Sequence, residues 1–265
     1  MIKLIASDID GTLIKDSTPD LYPEIVSAIK KLTGQGILFC AASGRQYDSI
    51  RNVFREIDED IVFLAENGAQ IRYRDEDISV TPMKREYAEA IIKQLRQYDK
   101  KCDMVISTPR GSLLESRNKE FIDLITYGYH NKFTLVQDVL KEDAQIIKIA
   151  IYQKESIREL GEGTLIPEWN DRVKVCMAGE EWVDFMDASV DKGHALAFIQ
   201  KYFRIAQEET MAFGDNNNDI GLMRAAGESY AVENAREEVK AAAKHICPSY
   251  LEKGVYRVIK DLIIE

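Results

Sequence analysis

The sequence has 265 residues, of which 45% are hydrophobic and 30% charged, and its formal net charge is −10. This composition is ordinary for a globular protein and excludes extended disorder as the general state of the chain. The lysine and arginine residues are scattered instead of clustered, which does not favour a protein that binds nucleic acid.

Cysteine usage and hydropathy indicate the compartment. The four cysteines, Cys40, Cys102, Cys176 and Cys247, form no CxxC pair, which is typical of reduced thiols. No run approaches the roughly 20 apolar residues of a membrane span. The N-terminal residues MIKLIASDID reach carboxylates too early for a signal peptide. The sequence therefore predicts a cytoplasmic protein that does not bind membranes.

The first and last parts of the chain alternate short apolar runs with helical patterns. Residues 2–7, for example, form an apolar run that is typical of a buried parallel strand and stops at an acidic turn. This alternation indicates a doubly wound α/β sheet. The predicted strands are 2–7, 37–42, 61–65, 210–213 and 229–232, and the predicted helices are 24–32, one from about 46, 192–202, 219–226 and 236–244.

The alternation breaks after the turn signal Asn67-Gly68. Between about 83 and 184 the pattern predicts helices at 85–98 and 119–127 and strands at 103–107, 146–152 and 172–177. This order indicates an α+β insert with an antiparallel sheet. We therefore predict an α/β, Rossmann-like core domain formed by 1–82 and 186–265, and an inserted α+β cap domain at 83–185.

Two carboxylates follow the first predicted strand in the motif DIDGTL at 8–13. Ligands bind at the carboxyl ends of strands in open α/β sheets, and residues i and i+2 leave a strand in similar directions. Asp8 and Asp10 can therefore face one site, where they repel each other unless a proton or a cation separates them. Magnesium suits this role because it prefers hard oxygen ligands. An Asx-turn is the purely conformational alternative.

Three further segments lie at the same predicted sheet edge. The residues SGR at 43–45 offer a hydroxyl and a glycine amide for a phosphate oxygen. Lys192 can contact a phosphoryl group or shield a carboxylate. The loop GDNNND at 214–219 offers acids and amides suited to metal coordination. Taken singly, these are also compatible with a helix cap, a surface lysine and a solvated turn.

The order of these motifs resembles that of the haloacid dehalogenase superfamily of phosphohydrolases, in particular its Cof-type members with a type IIB cap. The matching segments are DIDGTL at Asp8, ASGR at Ala42, ENGA at Glu66, DKG at Asp191, FGDNNND at Phe213 and EKGV near Glu252. The resemblance implies a magnesium-dependent phosphatase that hydrolyses a small phosphate ester, such as a sugar phosphate, nucleotide or cofactor phosphate, through an aspartyl-phosphate.

The resemblance also implies roles for individual residues. The catalytic residues would be Asp8 as the nucleophile, Asp10 as the general acid and base, and Lys192. The magnesium ligands would be Asp8, the backbone carbonyl of Asp10, and Asp215. The phosphoryl oxygens would be bound by Ser43, Gly44, Lys192 and Asn218, with Thr12 and Asp219 in supporting roles.

Two other functions are compatible with these motifs, and the sequence leaves the substrate and the oligomeric state open. A phosphomutase of the phosphomannomutase type also forms an aspartyl-phosphate. A catalytically silent phosphate-sensing module would keep the fold, although it would not need both Asp8 and Asp10. Within the cap, Trp169 and Trp182 are predicted to fill a core more readily than to line a substrate pocket.

Overall fold

The computed structural model describes residues 1–15, 20–98 and 101–262. The strands are β1 (Leu4–Ser7), β2 (Leu38–Ala42), β3 (Ile61–Ala65), β4 (Gln70–Tyr73), β5 (Glu76–Val80), β6 (Asp103–Thr108), β7 (Gly111–Leu114), β8 (Phe133–Leu135), β9 (Lys148–Tyr152), β10 (Lys174–Met177), β11 (Trp182–Met186), β12 (Thr210–Gly214), β13 (Glu228–Val232) and β14 (His245–Cys247). The α-helices are α1 (Pro23–Gly34), α2 (Tyr47–Val53), α3 (Arg85–Leu95), α4 (Lys119–Asp123), α5 (Arg158–Leu160), α6 (Ile166–Trp169), α7 (Lys192–Phe203), α8 (Ile220–Ala225), α9 (Glu237–Ala242) and α10 (Gly254–Ile259).

The chain forms two compact units. One combines Met1–Ser79 with Asp191–Glu265, and the other is Val80–Val190. We call them the core unit and the inserted unit.

An eight-stranded sheet in the order β14-β13-β12-β1-β2-β3-β4-β5 organises the core unit. Its first six strands pair in parallel, and β4 then runs antiparallel to β3. Strands β1 and β3 are buried along their whole length, as expected for strands covered on both faces. The predicted doubly wound α/β sheet is confirmed.

Helix α1 shows how the local sequence produces the packing. Its residues Ile25, Ile29 and Leu32 are spaced three or four apart, so they share one face, and all three are fully buried in the main core. Pro23 occupies the first helical turn, where its missing N–H has no helical partner to lose. The chain then turns at Gly36, whose φ of 83° favours glycine, and enters β2.

A six-stranded sheet in the order β10-β11-β9-β6-β7-β8 organises the inserted unit. Its neighbours pair antiparallel as predicted, except that β8 runs parallel to β7. Along β9, Ile149 and Ile151 belong to one apolar cluster, while Ala150 belongs to another with Phe121 of α4. The alternation of side chains along a strand thus builds a separate core on each face.

Both tryptophans of the inserted unit take part in packing. Trp169 is buried in one core and donates its Nε1–H to Gln94 Oε1 at 2.7 Å, which confirms the core prediction. Trp182 packs against the other core and donates to the Tyr129 hydroxyl at 3.1 Å.

Two predicted helices of the inserted unit are shorter than expected. The α-helical part of 85–98 ends at Leu95, and that of 119–127 ends at Asp123, with a 3₁₀ turn and a π turn completing the two segments. After the first, the Arg96 guanidinium pairs with Glu115 and Asp138. In the described part of the chain, no helix is both long and apolar enough to cross a membrane.

Candidate active site

Four motif segments follow four neighbouring parallel strands. Asp8 follows β1, Ser43 follows β2, Glu66 follows β3 and Asp215 follows β12. These strands lie in the order β12-β1-β2-β3, so the segments share one edge of the sheet although they are up to 207 residues apart in sequence. This carboxyl edge is where open α/β sheets bind their ligands.

Lys192 lies at the centre of the site. Its side chain is fully buried, and its Nζ donates to Asp8 Oδ1 at 2.6 Å and to Asp219 Oδ1 at 2.7 Å. Helix α7 brings the lysine there by packing closely against α8, since a Cβ on Gly193 would lie 2.5 Å from the Gly221 carbonyl oxygen. Glycine at position 193 therefore permits the approach that delivers Lys192 to Asp8.

The ammonium of Lys192 remains charged despite its burial. Burial alone lowers the pKa of Lys192, but the nearby carboxylates of Asp219 and Asp8 outweigh it, and the pKa is raised above its ordinary value. The lysine therefore supplies a permanent positive charge against the side chain predicted to be the nucleophile.

Three carboxylates form the acidic cluster. Oxygens of Asp8, Asp215 and Asp219 lie within 4.8 Å of one another. Burial, together with the charge of Asp219, raises the pKa of Asp8 well above its usual range. Burial also raises the pKa of Asp215 to about 6. When all three carboxylates are ionised, the single charge of Lys192 does not balance them, and a divalent cation with a preference for oxygen ligands fits this donor set.

The members of the cluster are held by different contacts. Asp219 accepts hydrogen bonds from the backbone N–H groups of Asp215 and Asn216, both at 3.0 Å, in addition to that from Lys192. Asp215 accepts from the Thr12 hydroxyl at 2.8 Å. Asp219 therefore orients the lysine and the loop, while Asp8 and Asp215 are the carboxylates better placed to hold a cation.

Glycine is required beside Asp215. Gly11 has a φ of 79°, and a Cβ there would lie 2.6 Å from Asp215 Oδ2. The Gly11 carbonyl also accepts from Asn234 Nδ2 at 2.8 Å, and the Arg236 N–H donates to the Asp215 carbonyl at 2.9 Å. The segment after β13 thus supports the loops that carry Asp10 and Asp215.

The side chain of Asp10 is paired with Arg45 and is not part of the acidic cluster. Arg45 Nε donates to Asp10 Oδ2 at 2.7 Å, and its Nη2 pairs with the other oxygen. The role of the Asp10 backbone carbonyl as a metal ligand remains a prediction.

The residues predicted to bind phosphoryl oxygens lie on two segments. Ser43 and Gly44 follow β2, and the Ser43 hydroxyl oxygen accepts from the Arg45 N–H at 3.1 Å. Asn218 lies in the loop after β12, and its Nδ2 donates to Asn67 Oδ1 at 2.9 Å. The structure thus connects the two segments through Asn67.

Sequence reasoning assigned no role to Arg45, Asn67 or Asn234. Arg45 and Asn67 belong to quoted motifs, so the motifs themselves were a signal that these residues contact the site. Asn234 has no such signal, because its partner Gly11 lies 223 residues away in sequence.

Comparisons with known proteins agree with this architecture. Residues 5–259 match the model of the haloacid dehalogenase-like hydrolase family, and the chain belongs to this family. It is 26% identical to the 5-amino-6-(5-phospho-D-ribitylamino)uracil phosphatase YbjI of Escherichia coli K12, over 99% of this chain and 96% of the relative. The predicted enzyme class, a phosphatase of this family, is confirmed.

Solved structures support the fold. A structure from Eubacterium rectale is 36% identical, with a TM-score of 0.89, and the match covers 98% of this chain and 99% of that one. The subclass IIB sugar phosphatase BT4131 shares the fold, with a TM-score of 0.82 at 24% identity and coverage of 99% and 100%.

Proposed function

We propose that this protein is a magnesium-dependent phosphatase that hydrolyses small phosphorylated metabolites through a phosphoryl-aspartate on Asp8. The observation that carries the proposal is the contact of the buried Lys192 ammonium with Asp8, beside the Asp215 carboxylate. In such an arrangement the lysine fixes the position of the carboxylate nucleophile, and its positive charge attracts an incoming phosphate.

Asp8, Asp215 and the backbone carbonyl of Asp10 are the proposed ligands of the magnesium ion. When bound, the ion supplies positive charge that stabilises the transferring phosphoryl group. Burial raises the pKa of Asp8 and of Asp215, which makes both carboxyl groups harder to ionise. A cation bound between them favours their ionised form and offsets this effect of burial.

In the first step, a carboxylate oxygen of Asp8 attacks the phosphorus atom and the bond to the ester oxygen breaks. Lys192, Ser43 and Asn218 hold the phosphoryl oxygens during this transfer. Asp10, which in this step carries a proton and gives up one of its two hydrogen bonds from Arg45, donates that proton to the departing oxygen, which leaves as an alcohol.

In the second step, water attacks the same phosphorus atom and the bond to Asp8 breaks. Asp10, now ionised, takes a proton from the attacking water, so inorganic phosphate is released and Asp8 and Asp10 return to their starting states. Thr12 and Asp219 act in support, since Thr12 holds Asp215 and Asp219 holds Lys192.

The substrate class we propose is a phosphomonoester on a small polar metabolite. The E. coli relative is named for a phosphorylated ribityl compound. A first panel should therefore include phosphorylated ribityl compounds such as flavin mononucleotide, together with sugar phosphates, nucleotides and pyridoxal phosphate.

Phosphate release from this panel tests the proposal, measured with magnesium and with chelator for the native protein and for Asp8→Asn. We expect release that requires magnesium and is lost in Asp8→Asn. The matched control is Asp60→Asn, since Asp60 is an exposed aspartate at the opposite end of β3. Release that persists in Asp8→Asn would assign the nucleophile elsewhere.

A further inference from the structure

The turn that follows β3 has an unusual backbone. Glu66, Asn67 and Gly68 are consecutive left-handed residues with φ values of 50°, 56° and 104°. Residues other than glycine rarely adopt this conformation, although asparagine does so more readily than most. Glycine would suit position 67 without steric cost, so the asparagine side chain has to be explained by its contacts.

The backbone of this turn is joined to the segment after β2. The Glu66 N–H donates to the Arg45 carbonyl at 3.0 Å, and the Asn67 N–H donates to the Ser43 carbonyl at 2.9 Å. The Asn67 side chain also limits the space above Gly44, where a Cβ would lie 3.2 Å from both atoms of the amide. Asn67 thus lies directly against the Ser43-Gly44 pair.

The same side chain reaches the loop after β12. Asn67 Oδ1 accepts from Asn218 Nδ2 at 2.9 Å, and Asn67 itself is only 7% exposed. A hydrogen bond to one end of the Asn218 amide fixes the direction of its other end. Asn67 therefore determines how Asn218 is oriented.

A third contact anchors the turn on α7. A Cβ on Gly68 would lie 2.8 Å from Ala195 Cβ and 3.0 Å from the Asp191 carbonyl oxygen. The turn consequently contacts the start of the helix that carries Lys192, so its position is set relative to three motif segments.

We propose that Asn67 is a positioning residue for phosphoryl binding. It sets the orientation of Asn218 and the separation of Asn218 from Ser43 and Gly44, so that the two segments hold one phosphoryl group. This inference rests on the proposed function, because it assigns Asn67 to the same site.

The test is steady-state kinetics with p-nitrophenyl phosphate and magnesium, with inorganic phosphate as a competitive inhibitor. Asn67→Gly removes the side chain and keeps the left-handed backbone. We expect KM and the inhibition constant of phosphate to rise about tenfold, the scale of one well-oriented hydrogen bond to a charged group, while the thermal midpoint falls by no more than about 4 °C, the scale of one lost buried hydrogen bond.

Two further variants show through which residue Asn67 acts. Asn218→Ala should raise both constants similarly, and Asn67→Gly combined with Asn218→Ala should add nothing to Asn218→Ala alone. The matched control is Asp75→Gly, which also removes a side chain from a left-handed residue, here with a φ of 62°, and should leave both constants native.

The outcomes that refute the positioning role of Asn67 differ from the outcome that refutes the proposed function. Native constants in Asn67→Gly, additive effects in the double variant, or a thermal midpoint that falls into the temperature range of the assay would each refute the positioning role. If the native protein neither hydrolyses p-nitrophenyl phosphate nor binds phosphate, the proposed function fails and the inference fails with it.

Discussion

Both carboxylate oxygens of Asp10 accept hydrogen bonds from the guanidinium of Arg45. The Asp10 side chain is 28% exposed and the Arg45 side chain is 18% exposed, so the pair is partly shielded from water. A planar guanidinium that contacts both oxygens fixes the plane as well as the position of a carboxylate. Arg45 therefore orients the side chain that we propose to exchange protons with the leaving group and with water.

Replacing Arg45 should impair proton delivery to poor leaving groups. We expect Arg45→Met to lower kcat at least about tenfold for an alkyl phosphate, because general acid catalysis is typically worth about 10²–10⁴-fold. The loss should be much smaller for p-nitrophenyl phosphate, whose leaving group needs no proton. Kinetics with both substrates test this, with Arg55→Met, at an exposed ion pair with Asp20, as the control. Equal losses for both substrates would contradict the orienting role.

Removing the charge of Lys192 should damage both activity and stability. Lys192→Met leaves Asp8 and Asp219 buried without their shared cation, and breaking a buried ion pair from one side costs about 3–5 kcal/mol. Urea unfolding should show this loss of free energy, and phosphate release should fall by at least about 100-fold. Lys201→Met, at an exposed position on the same helix, is the control and should change neither. A stable and active Lys192→Met protein would remove the lysine from the mechanism.

Comparing Gly11→Ala with Gly36→Ala distinguishes the effect of backbone strain from the effect of a clash with Asp215. Gly11 and Gly36 have similar φ values of 79° and 83°, so alanine at either position should cost about 1–2 kcal/mol of stability. Among the residues that the structure describes, no heavy atom outside the chain neighbours of Gly36 lies within 4 Å of a Cβ placed on it, whereas a Cβ on Gly11 would lie 2.6 Å from Asp215 Oδ2. We expect only Gly11→Ala to lose magnesium-dependent phosphate release. Equal activity of the two variants would refute the assignment of Asp215 to the site.

Magnesium should stabilise the protein more at neutral than at acidic pH. Burial raises the pKa of Asp215 to about 6 and that of Asp8 above its usual range, so the metal-free folded state binds more protons than the unfolded chain between about pH 4 and 6. The contribution of these groups to metal-free stability therefore falls as pH rises through this window. Protons and the ion compete for the same oxygens, so the ion should bind better as pH rises.

Thermal unfolding with magnesium or chelator, at about pH 5 and about pH 7, measures this competition. The shift in thermal midpoint caused by magnesium should be larger at the higher pH and should be lost in Asp215→Asn. An equal shift at both pH values would mean that magnesium binds elsewhere.

The sequence predicted the strands of the core unit well because they are buried on both faces. The apolar runs of β1, β2, β3 and β12 stand out, and the motif residues follow each of them directly. By contrast, β11 was not predicted, since its sequence WVDFM carries Asp184 in a buried position. This residue pairs with Lys148 at 3.4 Å, a contact between strands that local pattern cannot show.

Side-chain contacts between segments that are distant in the sequence were the other feature that could not be predicted. The positions of Asp8 and Asp215 could be predicted as members of one site because strand ends meet at one sheet edge, whereas Lys192, at the start of α7, was assigned to that site by the order of the motifs. The contacts of Asp10 with Arg45 and of Asn67 with Asn218 depend on side-chain directions after the chain has folded. Short and edge strands such as β8 and β14 were also missed, because three residues carry too little periodicity.

The position of β1 has a consequence for the order in which the protein assembles during synthesis. This strand pairs with β2 on one side and with β12 on the other, and β12 begins at Thr210. While the ribosome is still producing the inserted unit, β1 can already pair with β2 but presents an open edge on its other side. An open apolar strand edge attracts foreign strands, so this interval is when the nascent chain is most prone to aggregate and to need a chaperone.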